Sequence, residues 1–416
     1  MSPTAVTPPT APLRFSRYQT FIAGLLGFLQ FAVIVDLMVM SPLGALVMPA
    51  LSMTPSQFGL IVSAYAFSAG ISGLLTAGYA DRFDRKKLLL FFYTGFVVST
   101  LWCGLAQSFH ALLAARMVTG IFGGVIGSVA LAIATDLFPT QLRGRVIGIL
   151  QSTFAAGQVL GLPLGIWMST RWDWHAPFLA LAAFGAGGGL VIAWRMRPVT
   201  EHLALRQERS ALAHLARTLA QPRHLRAFAG MALLTTGGFM LMPFSSAFIV
   251  HNVGIPVHSL PTIYFVTGLF TMVMGPLIGK LSDAVGRLPV LLAGTAITIV
   301  MVGVYTHLGT VPLPVAIGVN VLMFVGIFSR LIPYQALATA VPGPEQRGAF
   351  NALTSAIQQL SGGMASVVSG HIVVLGADGR LQHFPVVGYV VMASTLAAAV
   401  LAWRIQRDLR THGAPA

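Results

Sequence analysis

Two side chains of opposite charge, Asp36 and Arg116, lie within long apolar runs of a chain in which only 9% of the 416 residues are charged. A charged side chain at the centre of a bilayer costs at least about 2.5 kcal/mol, so such residues are typical of ion or substrate pathways. A carboxyl group beside a fixed cation can alternate between an ion-paired form and a neutral, protonated form. These two residues are therefore the first candidates for chemistry.

The depths of the two residues indicate that they meet. Counted at about 1.5 Å per residue, Asp36 lies about 24 Å from the face at which its segment enters, and Arg116 lies about 10 Å from the opposite face. In an apolar core of about 30 Å these depths nearly coincide. We expect an ion pair, in which the loss of one partner would leave the other charge uncompensated. The alternative is a pair that only stabilises the structure.

The composition requires a bilayer around these charges. Hydrophobic residues make up 56% of the chain and the mean hydropathy is +0.80, whereas about a quarter of the residues of a soluble protein are charged. Helices are the expected conformation, because open strands in lipid leave backbone groups unpaired. The sequence therefore predicts an all-α membrane protein with twelve transmembrane helices. The predicted segments are 20–50, 55–78, 87–107, 109–134, 145–168, 175–195, 227–250, 259–281, 288–308, 312–340, 348–372 and 385–404.

Lysine and arginine fall mainly on one side of this topology. With the N-terminus in the cytoplasm, all but Arg116, Arg171, Arg330 and Arg380 of the 25 residues lie on the cytoplasmic side. This bias predicts that both termini are cytoplasmic, and it explains the net charge of +14 without nucleic acid as a partner. The excess of Arg over Lys and the short tails favour the inner membrane of a bacterium.

Two stretches about half a chain apart repeat one pattern. Residues 77–90 read AGYADRFDRKKLLL and residues 279–292 read GKLSDAVGRLPVLL, and each contains D-x-x-x-R before an apolar run. The repeat predicts two six-helix halves, 1–195 and 227–416, joined by a cytoplasmic connector, 196–226. Two repeated halves with a substrate path at their interface are typical of transporters.

The first of these stretches resembles the loop signature of the major facilitator superfamily, G-x-x-x-D-R-x-G-R-[RK], and the resemblance extends across essentially the whole chain. Asp84 stands where the family has a turn glycine, whereas the second copy keeps Gly286. The resemblance implies that charged loop residues latch the two halves on the cytoplasmic side; the alternative is simple anchoring by positive charges. The residues expected to form these gates are Asp81, Arg82, Arg85, Asp136, Asp283 and Arg287.

Three helices are similar to those of the proton-driven exporters of the family. An acid in the first segment and R-x-x-x-G in the fourth, here Arg116 to Gly120, imply that Asp36 binds the proton and that Arg116 modulates it. The fifth segment contains GQVLGLPLG, residues 157–165, in which the family's proline comes one position late. Close helix packing is expected at its glycines.

Further polar residues are candidates for contact with a substrate. Arg330 is expected in the inner part of the tenth segment, where it binds an anionic group or the dipole of a helix broken near Pro333, or else extends to the headgroups. Each of the others has an interhelical hydrogen bond as its alternative role. They are Tyr65, Gln151, Gln158, Tyr264, Asn351 and Gln358.

These features predict a secondary transporter that exports small organic molecules, drug-like compounds or metabolites, by proton antiport with alternating access. A proton-coupled importer of the same fold is the alternative, and an intramembrane enzyme is a remote one, because the spans contain no paired acids and no histidine cluster. We expect no cofactor or metal, with the proton gradient as the energy source. The expected partners are a small-molecule substrate, protons and the lipid bilayer, and the chain is expected to be a monomer.

Overall fold

The computed structural model describes residues 14–76, 79–204 and 211–411, and helices account for most of them. A short antiparallel hairpin, β1 (Val374–Leu375) and β2 (Leu381–Gln382), joins the last two helices. The helices are α1 (Arg17–Val39), α2 (Gly44–Ala50), α3 (Pro55–Thr76), α4 (Arg85–Cys103), α5 (Phe109–Leu137), α6 (Thr140–Ala156), α7 (Leu162–Arg171), α8 (Ala176–Arg195), α9 (Ala211–Leu219), α10 (Pro222–His251), α11 (Leu260–Val285), α12 (Arg287–Thr306), α13 (Leu313–Ala338), α14 (Arg347–Ile372) and α15 (Phe384–Thr411).

The twelve-helix all-α fold is confirmed. Within the described ranges, 11 helical stretches are long and apolar enough to cross a membrane. The remaining one of the twelve is α14, which contains the polar run QQLSGG and packs along α3 of the other half rather than facing lipid alone. A helix that packs on protein does not need a fully apolar surface. The connector contains α9, which follows the first six membrane-spanning helices along the chain and precedes the last six.

The first predicted segment, 20–50, is interrupted, so its description as one span is wrong in detail. The helix α1 ends at Val39, a turn follows at Met40–Leu43, and α2 continues from Gly44. Pro42 lies in that turn, and proline both lacks a backbone donor and clashes with the preceding helical turn. At its other end α1 begins with a capping box in which Ser16 and Gln19 each accept a hydrogen bond from the backbone of the other.

The two halves approach each other most closely along α3 and α14. The contact uses glycines on both helices: a Cβ atom at Gly59 would lie 2.5 Å from the Ser366 carbonyl oxygen, and one at Gly370 would lie 2.9 Å from the Pro55 carbonyl oxygen. Nearer the other end of the pair, Gly70 lies against the carbonyl of Ala356. Small residues let helix backbones come together in this way.

The apolar core is shared at one end of the bundle and divided at the other. We name the end with the α2–α3 turn and the β1–β2 hairpin the distal end, and the end with the chain termini the terminal end. At the distal end one cluster of buried side chains joins both halves and includes Leu43 and Phe58 with Phe244 and Phe248. At the terminal end each half has a buried cluster of its own.

Candidate functional site

The centre of the first half contains a buried ion pair. The Nη1 atom of Arg116 on α5 lies 2.8 Å from Oδ2 of Asp36 on α1, and the two side chains are 1% and 0% exposed. The same Nη1 also donates to the backbone carbonyl of Asp36 at 3.3 Å. The structure thus brings together the two charges that the sequence placed at matching depths.

Two more helices complete the surroundings of this pair. On α4, the Thr100 hydroxyl donates to Oδ1 of Asp36 at 3.3 Å. On α3, the ring of Tyr65 lies under the guanidinium of Arg116, with Cζ 4.6 Å from the ring centroid. A desolvated cation over an aromatic face is stabilised by about 2 kcal/mol. Tyr65, predicted as a substrate ligand, is instead 1% exposed and contacts the ion pair.

Glycines on α5 explain how Tyr65 comes so near. A Cβ atom at Gly123 would lie 2.6 Å from the Tyr65 hydroxyl, and one at Gly120 would overlap the Tyr65 backbone. These two positions therefore accept no larger residue without a shift of α3. The guanidinium is not fully satisfied, because the Nε atom of Arg116 is buried and has no hydrogen-bond partner among the described residues.

A turn of π-helix connects this site with the second half. Residues Gly157–Gly161, between α6 and α7, form the π turn. Gly157 lies against Ile34 and Gly161 against Val35, next to Asp36 in sequence. The Gln158 side chain accepts a hydrogen bond from Thr271 of α11 at 3.0 Å. Single π turns inside α-helices are frequent at functional sites, and this one contacts both the ion pair's helix and the opposite half.

Two of the predicted gate residues of the first half, Arg85 and Asp136, lie in a cluster at the terminal end. The Nε atom of Arg85 lies 3.0 Å from Oδ2 of Asp136, and Nδ1 of His202, in the connector, lies 3.5 Å from the same oxygen. His202 was not among the predicted residues. Its contact joins positions far apart in sequence, and no local pattern identifies it.

Asp84, the departure from the family signature, has a clear structural role. Its Oδ1 atom accepts from the backbone N–H of Lys86 at 2.9 Å and from that of Val199 at 3.0 Å. The first bond caps α4 and the second holds the start of the connector against the loop. The N-cap role is readable in the sequence, since Asp directly before a helix is a preferred cap; the bond to Val199 is not.

The remaining gate residues do not form such a cluster. The side chain of Asp81 lies outside the described part of the chain, and Arg82 is exposed. In the second half Asp283 is exposed, and the Nη1 atom of Arg287 is buried without a hydrogen-bond partner. In the described ranges the second loop therefore shows no ion pair comparable to that of Arg85 with Asp136.

Arg330 lies inside the second half and is 1% exposed. Its Nη1 atom donates to the Thr395 hydroxyl of α15 at 3.0 Å. Extension to the headgroups is therefore wrong, because the side chain stays between helices. A helix broken near Pro333 is also wrong, since α13 continues through that proline to Ala338.

The other candidate substrate ligands are dispersed. Tyr264 is buried in the distal core, and Gln158 is bonded to Thr271 in the π turn. The Gln358 amide lies 3.2 Å from the sulfur of Met231, across α14 and α10. Gln151 on α6 and Asn351 on α14 are exposed. The structure does not bring these residues together into one pocket.

Comparison with known proteins gives consistent matches over the whole chain. A family model described as Major Facilitator Superfamily matches residues 20–367 and 227–414. An uncharacterized MFS-type transporter of Bacillus subtilis, YceJ, is 30% identical over 271 residues, which are 64% of this chain and 67% of that protein.

Three other proteins match a smaller part of the chain or share less sequence identity with it. The multidrug resistance protein fnx1 of Schizosaccharomyces pombe is 32% identical, and the match covers 33% of this chain and 26% of fnx1. A probable sugar efflux transporter of Helicobacter pylori is 25% identical, and the match covers 55% of this chain and 57% of that transporter. A solved bacterial homolog of the human lysosomal transporter Spinster, inward-facing and occupied, superposes with a TM-score of 0.74 at 18% identity, covering 95% of this chain and 98% of that one.

Proposed function

The chain belongs to the Major Facilitator Superfamily, and we propose that it exports small organic molecules by proton antiport with alternating access. It is a transporter rather than an enzyme, and relatives that match parts of it are named as multidrug resistance and sugar efflux proteins. The observation that carries the proposal is the ion pair of Asp36 with Arg116, fully buried inside one half.

The ion pair supports proton coupling because its two protonation states differ in their interactions. With Asp36 ionised, the carboxylate pairs with Arg116 and accepts from Thr100. A proton on Asp36 removes the negative charge and weakens the pair, while the Tyr65 ring and the backbone carbonyl of Asp36 stay next to Arg116. A buried cation left without its partner is unfavourable by several kcal/mol, so protonation favours a different arrangement of these helices.

The π turn supports a route from this site to the interface. Its glycines, Gly157 and Gly161, pack against Ile34 and Val35 of α1, next to Asp36 in sequence. Its Gln158 side chain accepts a hydrogen bond from Thr271 of α11 in the other half. A shift of α1 on protonation would act directly on this contact. At the terminal end, we propose that Arg85 and Asp136 form part of the gate, with the connector held to them through His202 and Asp84.

The proposal includes an orientation and a compartment. The cytoplasmic bias of Lys and Arg supports cytoplasmic termini, so the shared core at the distal end would close the periplasmic side of a bacterial inner membrane. The transporter would act as a monomer with halves 1–195 and 227–416 and connector 196–226, would need no cofactor, and would use the proton gradient.

The test is substrate-induced proton movement in everted membrane vesicles over a panel of compounds. We expect wild type to release protons from acidified vesicles with some compounds, and Asp36→Asn to lose this response. Asp378→Asn, the same change at an exposed acid of the distal hairpin, is the matched control and should respond like wild type.

A second variant separates loss of coupling from loss of folding. Asp36→Asn combined with Arg116→Gln leaves no uncompensated charge and should fold, yet it should not exchange protons for substrate. Proton release that persists in this double variant would overturn the role of Asp36. If adding substrate makes the vesicle lumen more acidic instead of releasing protons from it, the result would favour the proton-coupled importer.

A further inference from the structure

Arg330 is a buried cation for which the described part of the chain shows no acidic partner. We propose that the side chain binds the anionic group of the substrate, so that the exported compounds are amphiphilic organic anions, carboxylates or sulfonates on an apolar body. The inference rests on the proposed transport function and names its substrate class.

The charge of Arg330 is not compensated within the second half. The acids of that half are Asp283, Glu345, Asp378 and Asp408, and all four lie near helix ends or in loops. Asp408, on the same helix as Thr395, is thirteen residues further along, about 20 Å at helical rise. In the first half, by contrast, Arg116 has Asp36 at 2.8 Å. A charge in mid-membrane without a partner is rare unless it serves an ion or substrate.

The hydrogen bonds of Arg330 leave one edge of the guanidinium open. Within the described part of the chain its one hydrogen bond joins Nη1 to Thr395 at 3.0 Å, and Nε is buried without a partner. The Nη2 atom faces Gly237, where a Cβ atom would lie 2.9 Å away. Nε and Nη2 together form the edge that binds a carboxylate through two parallel hydrogen bonds.

Two successive glycines lie on α10, the helix that faces this edge. Gly237 lies against the guanidinium, and the position of a Cβ atom at Gly238 has no heavy atom within 4 Å. From Gly230 to His251 none of the residues of α10 is exposed, so this open space lies inside the bundle and not on its outer surface.

The helix that carries Gly237 also carries large apolar side chains. Met231, Leu234 and Met240 are buried on the same helix, and methionine side chains adapt to ligands of irregular shape. A small inorganic anion would satisfy the charge but would not use these side chains. An amphiphilic carboxylate uses both features.

Binding to the purified full-length protein tests the proposal without any proton gradient. We would compare acid and amide pairs of increasing apolar size, benzoate with benzamide and 1-naphthoate with 1-naphthamide, with chloride as a separate arm. For wild type we expect at least one acid to bind at least about tenfold more tightly than its amide, because hydrogen bonds to a charged group contribute this much. Arg330→Gln should abolish that preference, and Arg330→Lys should keep only part of it.

Matched variants exclude misfolding as the cause. Arg330→Gln removes an uncompensated charge, so it should unfold at the same temperature as wild type or higher while losing the acid preference. Gly238→Leu should fill the open space and weaken acid binding, whereas Gly318→Ala, at an exposed position of α13 with no heavy atom within 4 Å, should bind as wild type. The inference is overturned if no acid binds better than its amide, if Arg330→Gln keeps the preference, or if chloride displaces the acids at low concentration. None of these outcomes bears on Asp36, so a failure here is separable from a failure of proton antiport.

Discussion

Arg116 in the first half and Arg330 in the second are both 1% exposed between helices, but their surroundings differ. In the first half Arg116 contacts Asp36, and the Tyr65 ring lies under its guanidinium. In the second half Arg330 has the Thr395 hydroxyl and a glycine beside it. A paired charge is part of the fold, and its state changes only when a proton arrives. An unpaired charge is available to a ligand. This difference is the basis of our two proposals, a proton site at Asp36 and an anion site at Arg330.

Removing the arginines gives the largest expected contrast. Arg116→Gln leaves Asp36 buried without its cation, and we expect a loss of about 3–5 kcal/mol in the free energy of unfolding. Arg330→Gln should cost nothing or stabilise the fold. Denaturant titration of both variants in the same micelles measures the difference. A double variant, Asp36→Asn with Arg116→Gln, should recover most of the loss; equal destabilisation by the two single variants would contradict this account.

The two repeated loops give the second contrast. Asp84 in the first loop has φ −55°, whereas Gly286 at the equivalent place in the second has φ 104° and ψ 151°. Only glycine adopts the latter conformation without strain. Gly286→Ala should therefore lower stability by about 1–3 kcal/mol, although its Cβ atom would meet nothing nearer than Pro289 at 3.6 Å. Gly279→Ala, where no atom lies within 4 Å, is the control in thermal unfolding; a similar effect at both positions would refute the role of backbone strain.

The smallest expected effect belongs to Asp84. Replacing an N-cap Asp by Ala typically costs about 1 kcal/mol, and Asp84→Ala also removes the bond to the Val199 N–H. We therefore expect a modest loss of stability together with faster proteolysis of the connector after Val199. Asp84→Asn, which keeps the accepting oxygen, should behave nearly as wild type. If Asp84→Ala leaves proteolysis of the connector unchanged, the bond to Val199 does not hold it in place.

The sequence predicted the ion pair because charges are rare in apolar runs, and depth along a helix is simple to count. It predicted the twelve helices because each is an apolar run of spanning length. This included α14, although its Gly, Ser and Gln residues weaken the apolar signal. Thr100, Tyr65 and His202 could not be placed around their charges. Their roles depend on how α3, α4 and the connector pack in three dimensions, and no spacing along the chain records that packing. The turn at Met40–Leu43 interrupts the first predicted segment at Pro42, a residue type that ends or kinks helices.

The glycine contact between α3 and α14 limits how the two halves can move. It extends from Pro55 and Gly370 near the distal end to Gly70 and Ala356 further along, so it defines a line rather than a point. Rotation of one half about such a line separates the helices on the far side of the molecule and leaves those on the line in contact. On the far side, α6 carries the exposed Gln151 and Ser152, and the π turn and α7 pack on α11. A rotation about the line of α3 and α14 would therefore separate α6, the π turn and α7 from α11, and the Gln158–Thr271 hydrogen bond would break in that motion.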